Sequence, residues 1–375
     1  MSSSEIARSV PFFNYPFLFK SREDDFVRIF KDVGYRGAYI LQKDLREFEE
    51  NLAKFAGTKY AIGLANGTDA IWLALMAAGI GKGDEVIFAS HTYIATAAAI
   101  HFVGATPIPA DCKRDHMIDP ESIKKLITPR TKAILPTQLN GRCCDMESIM
   151  TIAKEHNLIV LEDAAQGLGA KFKNKGVGTF DKGGTISFYP AKNLGSFGDA
   201  GGFVTNDMEM YEKVMLLRDH GRNDDGVFVM WGFNSRLDNL QAAILNYKIG
   251  YYKEEITRRR EIAALYQKRL GHLKELLLPP APDADSDYFD VYQNYEIEAE
   301  RRDELKDFLK QNGIGTLIQW GGQPVHSITS LGFTGTGLPY TEQMFKKCIM
   351  IPMNTALSNE DVDYVCDQII KFYHK

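Results

Sequence analysis

The chain lacks a cysteine pair at CxxC spacing, a metal-like histidine pattern, a long apolar run and any surplus of positive charge. Each absence excludes something. The five cysteines, at 112, 143, 144, 348 and 366, are odd in number and unpaired in spacing, which argues against a disulfide framework and for the reduced cytoplasm. The eight histidines show no ligand spacing, so no metal site is expected. The longest apolar stretch, around residues 95–105, contains His101 and is far too short to span a bilayer. Met1-Ser2-Ser3-Ser4-Glu5 has neither the basic nor the apolar region of a secretory signal. A net charge of -5 offers no footprint for nucleic acid or a membrane surface. Internal repeats and low-complexity tracts are missing too.

What is present is an ordinary globular composition. The 375 residues are 45% hydrophobic and 25% charged, enough for a large and a small domain without covalent staples. Residues 1–25 are irregular and aromatic, as expected of an arm lying on its own body or on a partner. Leu45, Phe48, Leu52 and Phe55 recur at helical spacing and predict a helix over 41–57. Short apolar runs then alternate with helical stretches. Strands are expected at 60–64, 85–89, 106–109, 133–136, 158–162, 185–189 and 202–205. Helices are expected at 68–78, 92–103, 120–126 and 146–156. That order predicts an α/β fold with a mostly parallel sheet covered by helices on both faces. Helix dominates 237–273, with a break at Gly250. Past Pro279-Pro280-Ala281-Pro282, strands at 292–297 and 315–319 and helices at 301–312 and 359–373 predict an α+β unit. The expected division is an arm (1–25), a large α/β domain (26–250) and a small C-terminal α+β domain with its linking helix (251–375).

The chemistry concentrates on two residues. Lys192 lies in Ser187-Phe188-Tyr189-Pro190-Ala191-Lys192-Asn193-Leu194-Gly195, 29 residues after Asp163 closes an apolar run. A lone lysine is usually a solvated charge, but an aromatic, glycine-rich run is an unusual setting for one. A lysine able to form a Schiff base, with a carboxylate at a strand's end, is what an enzyme needs to hold pyridoxal phosphate. The amine ties up the aldehyde, and the carboxylate keeps the pyridine nitrogen protonated. The same amine can move a proton between substrate and cofactor carbons. Asp163 taken alone is equally a helix N-cap. Gln166 can hydrogen-bond the cofactor's 3-oxygen. Tyr93 can stack on the pyridine ring or simply fill the core. Asn66-Gly67-Thr68-Asp69-Ala70 follows a strand and opens a helix. The N–H groups of Thr68 and Asp69 and the Thr68 hydroxyl can bind a phosphate there, close to Gly67, or form an ordinary cap. Ser187 can reach the same phosphate. Asn234 reads as an N-cap for the long helix, and Arg236 as an anion contact or an ion-pair partner.

Taken together, and in order, these stretches resemble the DegT/StrS family of pyridoxal-phosphate aminotransferases acting on nucleotide sugars. The other markers are Gly83-Asp84-Glu85-Val86-Ile87, Gly104-Ala105-Thr106-Pro107, Thr128-Pro129-Arg130-Thr131-Lys132-Ala133-Ile134 and Asn234-Ser235-Arg236-Leu237. The resemblance runs from about Phe12 to Ile370. It implies the type I, aspartate-aminotransferase-like fold. It implies an internal aldimine on Lys192, with Asp163 at the ring nitrogen, Gln166 at the ring oxygen and Tyr93 on the ring. Gly67, Thr68, Asp69 and Ser187 would form the phosphate site, which Asn234 would complete from the partner of a homodimer. The sequence departs from the family's pattern at Gln138, where many members have histidine, at Gln319-Trp320-Gly321-Gly322 and at Ala191. The first two lie where the family binds its acceptor. Gln138, Trp320, His326 and Arg236 are therefore the candidate substrate contacts.

The resemblance implies a cytoplasmic ping-pong transaminase. L-glutamate would donate the amine, and a keto group at C3 or C4 of a dTDP-, UDP- or GDP-linked deoxy sugar would accept it. The product would serve lipopolysaccharide or O-antigen assembly. A smaller phosphorylated ketone is the alternative acceptor. Two rivals remain: a sugar dehydratase, against which Lys192 speaks because that branch carries histidine there, and a non-catalytic regulator, which would be expected to lose Lys192 or Asp163.

Overall fold

The structure is a computed structural model and describes residues 8–334 and 337–374. The first seven residues of the expected arm lie outside the described residues.

Seven strand positions form one mixed sheet. Across it run Thr106–Ala110, Glu85–Ala89, Thr131–Leu135, the pair Ile159–Val160 and Glu162–Asp163, then Gly184–Ser187, Gly201–Thr205 and Tyr60–Leu64. Leu161 separates the members of the pair, and its N–H donates to Ile134 O at 3.1 Å, so the two halves join into one surface. Pairing is parallel from Thr106–Ala110 through Gly184–Ser187. Gly201–Thr205 alone runs antiparallel to both neighbours. The expected single strand over 158–162 is thus two short pieces, and its pairing extends to Asp163.

Alternation along the strands sorts the core. Ile87, Ile134, Val160, Ile186 and Val204 enter one buried cluster with the helices Lys43–Ala56, Met146–His156 and Asn239–Ile249. Their chain neighbours Val86, Phe88, Ala133, Leu135, Leu161 and Phe203 enter another, with Gly67–Ala77, Ile94–Phe102 and Met208–Arg218. Successive side chains point to opposite faces of a strand, so a strand apolar on both faces must be covered twice. A third cluster lies around the sheet of Leu276–Leu277, Tyr295–Ala299 and Cys348–Ile351, with the helices Tyr252–Leu270, Arg302–Gln311 and Asn359–Tyr373.

The structure corrects several local expectations. Tyr15–Lys20 is a short helix and Glu23–Arg36 a longer one, so residues 15–25 are not irregular. No strand forms over 315–319. Leu317 makes one isolated bridge to Met350, and Trp320 and Gly321 take left-handed φ of 53° and 66°, which turns the chain away from a sheet. The strand expected from residue 292 begins at Tyr295, because Tyr292 is left-handed at φ 49°. Asn234 sits in an extended bridge to Asp219, and the residue preceding the helix Asn239–Ile249 is Asp238. The break at Gly250 is present, between Asn239–Ile249 and Tyr252–Leu270.

One close approach holds the antiparallel strand Gly201–Thr205 to the helix that starts beside it. A Cβ on Gly201 would stand 2.2 Å from the Asn66 carbonyl carbon, far inside contact. Gly201→Ala is therefore expected to destabilise the fold by about 1–3 kcal/mol through overpacking, read as a lower midpoint in chemical denaturation.

Candidate active site

A cavity of about 740 Å³ opens at the C-terminal ends of the parallel strands, the edge where α/β sheets bind ligands. Lys192 and Asp163 both line it, as do Gly67, Thr68, Asp69, Tyr93, Gln166, Ser187 and Trp320.

Asp163 is 4% exposed. It is followed by turns rather than a helix, so the N-cap alternative fails. Its carboxylate accepts from Thr96 Oγ1 at 2.7 Å and from the Ala165 N–H at 3.2 Å. Thr96 Oγ1 is 2.8 Å from Thr92 Oγ1, to which the Thr137 hydroxyl donates at 3.0 Å. Burial pushes the Asp163 carboxyl above its ordinary value, against the pull of these donors and of Lys192. A carboxylate so placed is a seat for a cation.

Lys192 is fixed through its main chain. Its N–H donates to Tyr189 O at 2.8 Å. Gln293 clamps both sides, donating through Nε2 to Ala191 O at 2.8 Å and accepting from the Asn193 N–H at 2.7 Å. Gly195 permits the return of the loop, since a Cβ there would lie 2.5 Å from Pro190 O. Burial lowers the Lys192 amine to about 8, with Asp163 pulling the other way.

The opposite end of the cavity is built by a helix start. Asn66 caps the helix Gly67–Ala77 by accepting from the Asp69 N–H at 2.8 Å. The Asp69 N–H is therefore occupied, contrary to expectation. The Gly67 and Thr68 N–H groups remain as the orphan donors of the first turn. The Asp69 carboxylate instead accepts from Ser235 Oγ at 2.7 Å. Gly67 rests on Ser187, whose Cβ would stand 2.8 Å from a Cβ at 67. Tyr93 is 56% exposed and its ring lies 5.4 Å from that of Trp320, tilted by 42°, so the two form one wall. Gln166 accepts through Oε1 from the Asn140 N–H at 2.8 Å and from Asn294 Nδ2 at 3.3 Å. Its NH2 group is left to donate.

Four expected site residues do not line this cavity. Gln138 is fully buried, donating to Glu162 Oε2 at 2.7 Å and accepting from the Cys144 N–H at 2.6 Å. It is a core strut for Glu162, whose carboxyl burial raises to about 7. His326 is buried against Ser90, with Nδ1 2.7 Å from its hydroxyl. Arg236 pairs with Asp219 at 3.0 Å. Asn234 is exposed, outside its own chain's cavity. Against the expectation drawn from spacing, His91, His116 and Glu296 also meet, with ligand-type atoms within 4.8 Å of one another. Sequence reasoning missed Thr96, Gln293, Asn140 and Asn294. Thr92 and Thr96 did carry a signal, being one helical turn apart and so on one face. The other three are joined to the site only by folding.

The residues fit pyridoxal phosphate. The cavity offers an amine, a buried carboxylate lacking an ion-pair partner among the described residues, a helix start with free N–H groups and an aromatic wall. The model of the DegT/DnrJ/EryC1/StrS aminotransferase family matches residues 21–370. A pleiotropic regulatory protein of Geobacillus stearothermophilus is 38% identical over 97% of this chain and 99% of its own. The dTDP-3-amino-3,4,6-trideoxy-alpha-D-glucose transaminase of Streptomyces venezuelae is 37% identical over 98% of this chain and 97% of its own. The crystal structure of DesV from S. venezuelae superimposes with a TM-score of 0.94 at 35% identity, covering 98% of this chain and 99% of DesV. Sequence and fold agree along almost the full length, and the chain belongs to the DegT/DnrJ/EryC1/StrS aminotransferase family.

Proposed function

We propose that this aminotransferase carries the amino group of L-glutamate to a keto group at C3 or C4 of a nucleotide-linked deoxy sugar, by a ping-pong route. The observation that carries the reading is the convergence of Lys192 and Asp163 on one cavity. Pyridoxal 5′-phosphate is the cofactor, and when bound it supplies an aldehyde and an electron-accepting ring. Asp163 would hold its ring nitrogen and Gln166 its ring oxygen. Gly67, Thr68 and Ser187 would hold the phosphate, with Asp69 tying the helix start to Ser235. Tyr93 would cover a ring face. Lys192 would hold the aldehyde end. With its amine lowered to about 8, Lys192 can take a proton from the donor's α-carbon and return it at neutral to mildly alkaline pH.

Relatives named for dTDP-, UDP- and GDP-linked sugars support a nucleotide-linked acceptor, and names containing 3-amino or 3-oxo support C3. Trp320 is the one expected substrate contact that lines the cavity. Retention of both Lys192 and Asp163 weighs against a dehydratase and against a purely regulatory role. Asn234 is exposed, near the exposed apolar run Val227, Phe228, Val229, Met230 and Trp231. This supports a homodimer in which Asn234 completes the partner's phosphate site. Five buried, unpaired cysteines fit a cytoplasmic setting, where the product would enter lipopolysaccharide or O-antigen assembly.

Two outcomes follow. Purified protein loaded with pyridoxal phosphate should show a visible absorption band that bleaches with L-glutamate, and Lys192→Ala should slow that bleaching by at least about 100-fold. A protein that stays colourless with the cofactor would sink the reading. The rate of pyridoxal phosphate capture by apoprotein should rise with pH, reach half its plateau near 8 and level off above it, because the neutral amine is the nucleophile and its pKa is depressed to about 8. An ordinary lysine at 10.5 would keep the rate climbing well past that point.

A further inference from the structure

Glu296 lies on the strand Tyr295–Ala299, is 3% exposed, and does not line the cavity. Three side chains converge on its Oε2: His116 Nδ1 at 2.9 Å, Asn140 Nδ2 at 3.0 Å and His91 Nε2 at 3.5 Å. His116 continues through Nε2 to Glu298 Oε1 at 3.2 Å, which also accepts from the Tyr340 hydroxyl at 2.7 Å. Burial opposes charge on His116, yet its bonds to Glu296 and Glu298 outweigh it and raise the imidazole to about 9. Burial likewise opposes charge on Glu296, and His91 and His116 hold its carboxyl well below the usual range. A proton on His116 thus bridges both carboxylates, while Glu296 Oε1 and the His91 ring nitrogens make no hydrogen bond among the described residues.

Asn140 connects this cluster to the cofactor cavity. It is left-handed at φ 55°, a conformation asparagine tolerates better than most residues. Its Oδ1 accepts from Asn294 Nδ2 at 2.9 Å and from Gln319 Nε2. Its N–H donates to Gln166 Oε1 at 2.8 Å, and Asn294 Nδ2 reaches the same oxygen at 3.3 Å. With that oxygen accepting from both, the Gln166 amide has one orientation, and its NH2 is the end left to donate.

We propose that Glu296 is a positioning residue for the cofactor: through Asn140 it fixes Gln166 so that the amide NH2 is presented to the ring oxygen. The inference rests on the aminotransferase reading, because the oxygen belongs to that cofactor. A donor on the ring oxygen stabilises its negative charge and loosens the proton held beside it. Losing the donor tightens that proton.

The test is a pH titration of the visible absorption of the holoprotein. Asn140→Gly keeps the left-handed backbone and the N–H while removing the link to Glu296 together with the side-chain contacts to Asn294 and Gln319. Glu296→Gln keeps the volume while removing the charge. Both are expected to move the titration midpoint upward by about one pH unit, a tenfold change in proton affinity. In a Gln166→Ala background, which shifts the midpoint by itself, neither should add a further shift, because the effect passes through Gln166. Midpoints unchanged in Asn140→Gly and Glu296→Gln would overturn the proposal. So would shifts of full size that persist without Gln166, which would mean that Glu296 acts by its charge alone. Should Glu296→Gln fail to fold, an unchanged midpoint in Asn140→Gly still overturns the proposal, since that variant leaves the contacts between Glu296 and the histidines in place. Wild-type protein without any visible band would instead defeat the aminotransferase reading before the variants are compared.

Discussion

A buried carboxylate and a half-buried amine face one cavity at the end of a parallel sheet, and the rest of the site is arranged around them. Burial raises Asp163 and lowers Lys192, so each is driven toward its neutral form. A cation on the Asp163 side offsets that tension for the carboxylate and leaves the amine free for nucleophilic work. The hydroxyls of Thr92, Thr96 and Thr137 line up behind Asp163 and hold its orientation without neutralising it. Gln293 holds the chain on both sides of Lys192 without touching the amine. Fixed geometry with unspent charge is what a cofactor-binding centre requires.

The same edge depends on very close backbone packing. Gly67 lies on Ser187, and Gly201 lies on Asn66. Those contacts bring the helix start, the strand Gly184–Ser187 and the antiparallel strand Gly201–Thr205 together at one side of the cavity. Helix N-termini are suited to anions because their first N–H groups lack intrahelical acceptors. Here Asn66 takes up one of those donors, which sharpens the site to Gly67 and Thr68.

Residues beyond the large sheet complete the centre. Gln293, Asn294 and Glu296 belong to the stretch that leads into and forms the strand Tyr295–Ala299, and Gln319 and Trp320 belong to a left-handed turn. They supply a lysine clamp, a brace for Gln166 and one wall of the cavity. The departure at Gln319-Trp320 from the family's pattern has a physical form. Gln319 donates to Asn140 inside the brace, while Trp320 stands against Tyr93 at the cavity wall.

The sequence by itself determined the α/β alternation, because short apolar runs of strand length alternate with longer helical stretches along the chain. Asn359–Tyr373, Met146–His156 and Tyr60–Leu64 match their expected limits for that reason. It also singled out Lys192, Asp163 and the Gly67 segment, which line one cavity, since their chemistry is carried by residue type within a short local run. The tertiary structure alone decided which polar residues meet. Gln138 and His326 looked like substrate contacts because they sit beside motif segments, yet packing turned each into the core. Gln293 and Glu296 carried no local mark, because a hydrogen bond spanning 100 residues or more leaves no trace in the spacing of either partner.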